Sequence, residues 1–396
     1  MSSKATNKVV NYYGKRDIRV EEILMPVPGE GQVLIKLAWC GICGTDLHEY
    51  TGKSNGPILC PTADTAHGIT GEKLPICLGH EFSGVISQVG PGVKGEWKKG
   101  DRVIVEPTIS CFKCYACKHN FRNACSSLGF VGLSGYGGGL AEYTVAGEGF
   151  LHKLPDNVSL QHGAMVEPLA VGMHAVERSG AAPGCTALVC GAGPIGCFVT
   201  KVLIAMGASK VIVSEPSGSR RKMATHAGAH HVISPREDDV VSKCRELTGG
   251  DDVGVDVSFE CAGVEASLTA AIAALRPRGT CVNVAIWSTK PQIDMNALVL
   301  GEKTLRAVIC YESNHKPAIE SLSSGKISLD GQYLTLPTWA SPVLTCFENT
   351  CPSRGFVTGT ASLDDIVEKG FHELINNNEQ REFIYLRPRT QMVASY

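Results

Sequence analysis

Short apolar stretches separated by glycine and proline characterise the first third of the chain. They lie at residues 33–38, 82–90 and 101–105, and the second is followed at once by the pair Pro91-Gly92. Runs of this length between glycine and proline turns are typical of β-strands. Residues 50–79 contain several glycines and prolines and are predicted to form a long loop. The pattern predicts a β-rich N-terminal domain.

From about residue 171 the pattern changes to an alternation of buried strands and helices. Apolar strand-like runs lie at residues 186–190, 211–214, 232–233, 255–259, 281–285 and 305–309. Residues 195–206, between the first two runs, have the composition of a helix. Such alternation predicts an α/β fold in which a doubly wound parallel sheet carries helices on both faces.

The chain of 396 residues exceeds what one hydrophobic core usually holds, which predicts two domains. We expect a catalytic domain in residues 1–170, a coenzyme domain in residues 171–311 and a return to the first domain in residues 312–396. Within this return, residues 363–375 have the pattern of an amphipathic helix, and Ser362 is its predicted N-cap.

Residues 332–355 form an unusual insert before that helix. They are rich in Pro, Thr, Ser and Cys, fit neither helical nor strand periodicity, and are bracketed by Gly331 and Gly355. The insert is either a lineage-specific loop or a translated segment that is normally spliced out. We expect it to project from the surface and to be removable, because a close-packed interior has no room for it.

Composition narrows the classes of function. The formal net charge of −2 gives no electrostatic basis for binding nucleic acid or an anionic membrane. No apolar run approaches the roughly 20 residues of a membrane span, and the first residues have no apolar core for export. The 17 cysteines then indicate thiols and metal ligands, and a cytoplasmic location is expected.

Two stretches carry candidate ligands for a catalytic metal. Cys43 lies in the segment from Cys40 to His48, and His80 and Glu81 lie in the later Gly-His-Glu sequence. Thiolate, imidazole and carboxylate are zinc ligands, and fewer than four in two stretches suggest an open position. Glu167 is the candidate for the missing carboxylate. The alternative is structural, with Cys40 and Cys43 as buried or redox thiols and His80 as a core histidine.

A second cysteine cluster has tighter spacing. Two, two and seven residues separate its members, which are Cys111, Cys114, Cys117 and Cys125. Four thiolates this close suit a closed tetrahedral zinc, which stabilises a lobe and takes no part in chemistry.

A glycine-rich turn follows the predicted strand at residues 186–190. Its sequence is Gly191-Ala192-Gly193-Pro194-Ile195-Gly196. It opens a predicted helix, and Glu215 lies 19 residues after Gly196, as the dinucleotide fingerprint requires. Glu215 predicts a preference for NAD over NADP. Its charge would repel the 2′-phosphate of NADP by ~4 kcal/mol at 4 Å with an effective ε of 20. Arg220 and Arg221 argue for NADP unless they face solvent or the adenine.

Together these motifs resemble the zinc-dependent medium-chain alcohol and polyol dehydrogenases over nearly the whole chain. The resemblance implies a β-rich GroES-like catalytic domain and a Rossmann coenzyme domain. Within the family, the loop before His80 looks most like that of the (R,R)-2,3-butanediol dehydrogenases. The expected reaction is hydride transfer between a secondary alcohol and NAD, with (R,R)-2,3-butanediol and acetoin as the pair. The alternatives are a sorbitol- or xylitol-type polyol, an intermediate of specialised metabolism, or a binding protein without turnover.

The resemblance also assigns roles. It makes Cys43, His80 and Glu167 zinc neighbours, with Glu81 as an alternative direct ligand. Thr45 matches the hydroxyl that passes on the substrate proton, His48 the outer relay, and Asp46 an acid that orients His80. Gly191, Gly193, Pro194, Ile195, Gly196, Glu215 and Arg220 would contact NAD. Two zinc ions per chain, a small-molecule substrate and a homodimer or homotetramer are expected.

Overall fold

The computed structural model describes residues 5–52, 59–250, 253–330, 356–376 and 384–386. The insert predicted at residues 332–355 lies outside these residues, so the expectations for it stay predictions.

The N-terminal region is built from antiparallel sheets, as the short apolar runs predict. Its strands are β1 (Thr6–Gly14), β2 (Asp17–Leu24), β3 (Gln32–Gly41), β4 (Ile76–Cys77), β5 (Glu81–Val89), β6 (Arg102–Val105), β7 (Thr108–Ile109), β8 (Gly129–Phe130), β9 (Tyr143–Gly147) and β10 (Leu151–Lys153). β2, β1 and β4 form one sheet, and β7 pairs with β8. The larger sheet contains β10, β6, β5 and β3 in that order, with β9 also paired to β3. β4 lies inside the segment that was predicted to be a loop.

A six-stranded parallel sheet follows. Its strands are β11 (Thr186–Cys190), β12 (Lys210–Ser214), β13 (His231–Ile233), β14 (Val255–Glu260), β15 (Leu275–Asn283) and β16 (Thr304–Ala307). Their spatial order is β13-β12-β11-β14-β15-β16, and every adjacent pair is parallel. This is the doubly wound order, in which the direction of winding reverses between β11 and β14. The predicted fold class is confirmed.

The helices connect and cover these sheets. They are α1 (Gly44–Thr51), α2 (Tyr115–Lys118), α3 (Leu160–Ala164), α4 (Val166–Ser179), α5 (Pro194–Met206), α6 (Gly218–Ala227), α7 (Val240–Thr248), α8 (Glu265–Ala273), α9 (Met295–Val299), α10 (His315–Ser323) and α11 (Glu373–Asn376). α4 packs against α5 and α10. None of the helices in the described parts of the chain has the length and apolar character needed to span a membrane.

The two sheet systems have separate hydrophobic cores joined by α4. Leu169 on α4 belongs to the core of the parallel sheet, while Ala170, its neighbour, belongs to the core of the antiparallel sheets. Both side chains are fully buried. α4 therefore packs into both cores through different faces of a single helix.

After the parallel sheet the chain returns to the first one. β17 (Gly359–Ala361) pairs in parallel with β18 (Ile384–Leu386), and β18 pairs antiparallel with β3 next to Cys40. Phe356, before β17, is buried and stacks on Phe198 of α5, with ring centroids 5.8 Å apart. The last segment therefore contacts both sheet systems.

The helix predicted at residues 363–375 differs from the observed structure. The chain forms turns after Ser362, winds as a π-helix over Ile366–His372 and becomes α-helical only in α11. Gly370 lies in the π-helical part, where a Cβ would come within 2.7 Å of Ile42. This close tertiary packing against the loop before α1 is invisible to a periodicity count. Ser362 still donates a hydrogen bond to Asp365, at 3.0 Å.

Candidate active site and metal centres

The pairing of β3 with β5 brings the two candidate ligand stretches together. Gly41, the last residue of β3, is the partner of Glu81, the first residue of β5. Cys43 follows β3 and His80 precedes β5, so both residues lie at the same end of these two strands. Gly79 has a φ of +95°, and a Cβ there would lie 2.7 Å from the sulfur of Cys40. Cys40 is thus a buried packing residue behind the site.

α1 begins at this end of the strands and contains the residues of the predicted proton relay. Cys43 is its N-cap residue, and the Cys43 amide donates to Asp46 Oδ2 at 2.8 Å. Thr45 and His48 are three residues apart on the helix and therefore share one face. The sulfur of Cys43 lies 3.8 Å from Oγ1 of Thr45. The other oxygen of Asp46, Oδ1, lies 3.5 Å from Nδ1 of His80.

Three ligand atoms converge at this point. One atom each from Cys43, His80 and Glu81 lies within 4.8 Å of the others. Burial raises the pKa of Cys43 to about 11, and burial together with the charge of Glu167 raises the pKa of Glu81 to about 8. A divalent cation would relieve both costs, because it favours the ionised forms of its ligands. The donor set therefore fits zinc.

Glu167 faces the same cavity but is not part of this three-residue group. It lies in the first turn of α4, is 7% exposed and lines the cavity beside Glu81. Burial raises its pKa to about 7. The structure thus brings Glu81 into the ligand group and leaves Glu167 as a nearby carboxylate.

The four clustered cysteines converge at a second point. The sulfur atoms of Cys111 and Cys117 are 3.9 Å apart, and those of Cys114 and Cys125 are also 3.9 Å apart. Sulfur atoms 2.3 Å from a tetrahedral zinc would be about 3.8 Å from one another. Backbone hydrogen bonds from Cys117 and Ser126 lower the pKa of Cys114 to about 5, which favours the thiolate. The spacing fits a closed zinc site.

The glycine-rich loop joins β11 to α5. Gly191 has a φ of +97°, and a Cβ on Gly196 would lie 1.9 Å from the carbonyl oxygen of Gly191. Both positions therefore require glycine. A Cβ on Gly193 would meet no atom within 4 Å, so the N-terminus of α5 opens onto free space. These features fit a pyrophosphate held by the positive end of α5.

Glu215 follows β12 and lies against this loop. It is 2% exposed, and its two oxygens accept hydrogen bonds at 2.8 Å from the amides of Ala192 and Ser217. Arg221 does not approach the carboxylate but donates to the carbonyl oxygens of Glu215 and Pro216. The carboxylate of Glu215 therefore orders the end of β12 beside the loop.

One cavity of about 310 Å³ joins the two groups of residues. Cys43, Thr45, His48, Glu81 and Glu167 line one side. The other side comprises Gly193, Pro194 and Ile195 with residues that follow β14, β15 and β16. Sequence reasoning missed these loops, which carry Ala262, Ala285, Ile286, Ile309 and Cys310. The signal for them was positional, since ligands of doubly wound sheets bind at the carboxyl ends of the strands.

Comparison with known proteins supports this geometry. Residues 29–156 match the alcohol dehydrogenase GroES-like domain, and residues 194–324 match the zinc-binding dehydrogenase family. The chain is 38% identical to an (R,R)-butanediol dehydrogenase of Neisseria gonorrhoeae over 96% of this chain and 99% of that one. It belongs to the zinc-dependent medium-chain alcohol dehydrogenases.

Two further relatives are a butanediol dehydrogenase and a sorbitol dehydrogenase. The crystal structure of 2R,3R-butanediol dehydrogenase from Bacillus subtilis matches with a TM-score of 0.83 and 37% identity, over 97% of this chain and all of that one. Human sorbitol dehydrogenase is 33% identical over 83% of this chain and 88% of its own. Family membership confirms the predicted enzyme class, fold and cofactors, zinc and NAD.

We predict that the dehydrogenase binds two zinc ions that differ in lability. The ion at the four cysteines should resist a chelator, because no ligand position is open. The ion at Cys43, His80 and Glu81 faces the cavity and should leave first, together with activity. Metal analysis during mild chelation measures this. His80→Ala should retain one zinc, and simultaneous loss of both ions from the wild type would contradict the prediction.

We predict that Glu215 sets the preference for NAD. Glu215→Ala removes the charge that repels a 2′-phosphate, so the kcat/KM ratio of NADP to NAD should rise at least about tenfold. Glu237→Ala removes an exposed carboxylate in the same sheet system and should leave the ratio unchanged. A wild-type preference for NADP would instead assign the choice to Arg220 and Arg221.

Proposed function

We propose that the chain catalyses the NAD-dependent interconversion of (R,R)-2,3-butanediol and acetoin. The supporting observation is the single cavity that contains the zinc ligand group, Thr45 and the opening above Gly193. The names of the relatives from Neisseria gonorrhoeae and Bacillus subtilis agree with this substrate. We assign Cys43, His80 and Glu81 to the catalytic zinc, and the four clustered cysteines to the structural one.

The lining of the cavity favours a short diol over a long polyol. Many of its side chains are apolar, and they include Ile42, Leu59, Phe130, Leu133, Val171 and Ile286. The methyl groups of butanediol can pack against such walls. A six-carbon polyol would bury several hydroxyl groups there without hydrogen-bond partners, at a cost of about 1–3 kcal/mol each. A sorbitol-type or specialised-metabolite substrate is therefore the second candidate.

Different residues of the chain would bind the cofactors and transfer the substrate proton. Zinc held by Cys43, His80 and Glu81 would supply positive charge to an alcohol oxygen, and NAD bound at the glycine-rich loop would supply the hydride acceptor. Thr45 Oγ1 lies in the cavity beside Cys43 and takes the hydroxyl proton, and His48, on the same face of α1, passes it toward solvent. Gly191 and Gly193 would leave room for the pyrophosphate, and Glu215 with Arg220 would hold the adenosine end.

Self-association as a homodimer or homotetramer is part of the proposal. It is supported by the exposed apolar side chains Met295, Val299 and Leu300 in and after α9, the helix that precedes the edge strand β16 in sequence. Large exposed apolar patches mark interaction surfaces. The cytoplasmic location also remains a prediction, and free thiols among the described cysteines agree with it.

The substrate assignment predicts the outcome of a panel assayed with NAD. Among (R,R)-2,3-butanediol, sorbitol, xylitol and threonine, the butanediol should give the highest kcat/KM. Acetoin should be reduced in the reverse direction. Higher kcat/KM with sorbitol or xylitol would establish the second candidate. Absence of turnover with every alcohol in a zinc-loaded preparation would favour a binding protein.

The relay assignment predicts that Thr45→Ala loses most turnover while both metals stay bound. Removing a hydroxyl that transfers the substrate proton should cost on the order of 10²-fold in kcat. Thr45→Ser is the matched control, because it keeps the hydroxyl and should keep most of the activity. Near-normal kcat in Thr45→Ala would exclude Thr45 from the relay.

A further inference from the structure

Asn123, in the four-cysteine lobe, is a buried polar residue among exposed neighbours. It is 6% exposed, whereas Phe121 is 48% exposed, and Arg122 and Ala124 are exposed as well. Buried side chains are ordinarily apolar, and a buried amide is costly without hydrogen-bond partners. A buried asparagine beside an exposed phenylalanine indicates that the amide of Asn123 has a specific partner.

That partner lies in the loop that follows β16. Nδ2 of Asn123 donates a hydrogen bond to the carbonyl oxygen of Ile309 at 2.9 Å, although the two residues are 186 positions apart. The other amide atom, Oδ1, has no partner among the described residues. An unpaired buried oxygen is unfavourable, so the nitrogen is the atom for which an amide is suited to this position.

The loop that accepts this hydrogen bond lines the cavity. It begins with Val308, Ile309 and Cys310, which all contribute to the lining. The amide of Val308 still donates to Asn283 on β15, at 3.1 Å, so the sheet holds the start of the loop. Cys310 has a φ of +52°, which is uncommon for a residue with a side chain and persists when the surroundings require it. Asn123 binds the peptide carbonyl immediately before this residue.

α4 contacts both Asn123 and the far end of the loop. Nδ2 of Asn123 lies 3.4 Å from Nε2 of His174, an imidazole nitrogen that accepts when the ring proton is on Nδ1. Glu177, three residues further along α4, accepts a hydrogen bond from Asn314 at 2.8 Å. The bond from Asn123 to Ile309 therefore acts between the sheet and this second anchor, where the loop faces the cavity.

The place of the loop in the sheet assigns it to the nicotinamide half of the coenzyme. The winding of the sheet reverses between β11 and β14, and a dinucleotide lies across such a point. Glu215 follows β12 on the adenosine side, so the residues after β14, β15 and β16 belong to the other side. They share one cavity with the metal ligand group, which the nicotinamide must approach for hydride transfer.

We propose that Asn123 is a positioning residue for the coenzyme. It holds the carbonyl of Ile309, and with it the loop against which the nicotinamide half of NAD would pack. The four-cysteine lobe contains Asn123 two residues before Cys125 and so contributes to coenzyme binding through this hydrogen bond. The proposal rests on NAD as the coenzyme and is independent of which alcohol is the substrate.

Two substitutions test this role by binding alone. Asn123→Ala removes the donor, and Asn123→Leu removes it while keeping the number and branching of side-chain heavy atoms. Both should raise the Kd of NADH, measured by its fluorescence, about fivefold, the change expected from loss of one ordinary hydrogen bond. ADP-ribose lacks the nicotinamide and should displace NADH with the same Kd from both variants and the wild type. A general loss of structure would weaken both ligands.

Asn157→Ala is the matched control. Nδ2 of Asn157 also donates to a distant backbone carbonyl, that of Ser323, at 2.7 Å and 166 positions away. Ser323 is the last residue of α10 and is not among the described residues that line the cavity. Both affinities should therefore be unchanged in Asn157→Ala. The zinc content of the two Asn123 variants should equal that of the wild type, because the amide is not a ligand.

Three results would overturn the proposal. The first is an unchanged Kd of NADH in both Asn123 variants. The second is an equal weakening of NADH and ADP-ribose, which would make the effect a general structural one. The third is loss of metal from both variants, or failure of both to fold, which would assign Asn123 to the folding of the lobe.

Discussion

Crowding of acidic groups in a buried space is the constraint on which the active site depends. Cys43 and Glu81 lie in one ligand group and Glu167 lies beside them, each with a pKa raised by burial. Without a cation, burial favours the protonated forms of such groups. A metal ion at this group would favour the ionised forms and so offset the cost of burying them together. Local backbone features, such as the left-handed Gly79, serve this arrangement.

The second requirement is that a coenzyme reaches the metal. The parallel sheet meets it through its topology, because the reversal between β11 and β14 leaves a crevice at their carboxyl ends. The loop at Gly193 opens into that crevice, and α4 sets the distance to the antiparallel sheets. One helix thus carries Glu167 toward the cavity and packs both hydrophobic cores. A substitution in its buried faces would alter the alignment of metal and coenzyme.

The four-cysteine lobe shows a different use of the same ligand chemistry. Its ligand residues span only residues 111–125, with short helical turns between them and little apolar burial. A lobe of this size has little core of its own, and the predicted closed metal site would take the place of that core. A zinc held by all four cysteines would have no open position, unlike the zinc predicted at Cys43, His80 and Glu81, although both sites contain thiolate.

The sequence alone was sufficient to predict the sites whose residues lie close together along the chain. The cysteines at 111–125 and the glycines at 191–196 are constrained by local backbone geometry, so their spacing is itself the signal. The doubly wound sheet was predictable for a similar reason, since strands of a parallel sheet alternate with helices along the chain. Fold class and family followed from these patterns.

Tertiary structure decided which residues meet across the chain. Glu81 rather than Glu167 joins Cys43 and His80 because the register of β3 with β5 pairs Gly41 with Glu81, and single residues carry no signal of register. The π-helix at Ile366–His372 contains Gly370, which packs closely against Ile42 in a distant segment of the chain. Such long-range contacts leave no periodic trace in the sequence.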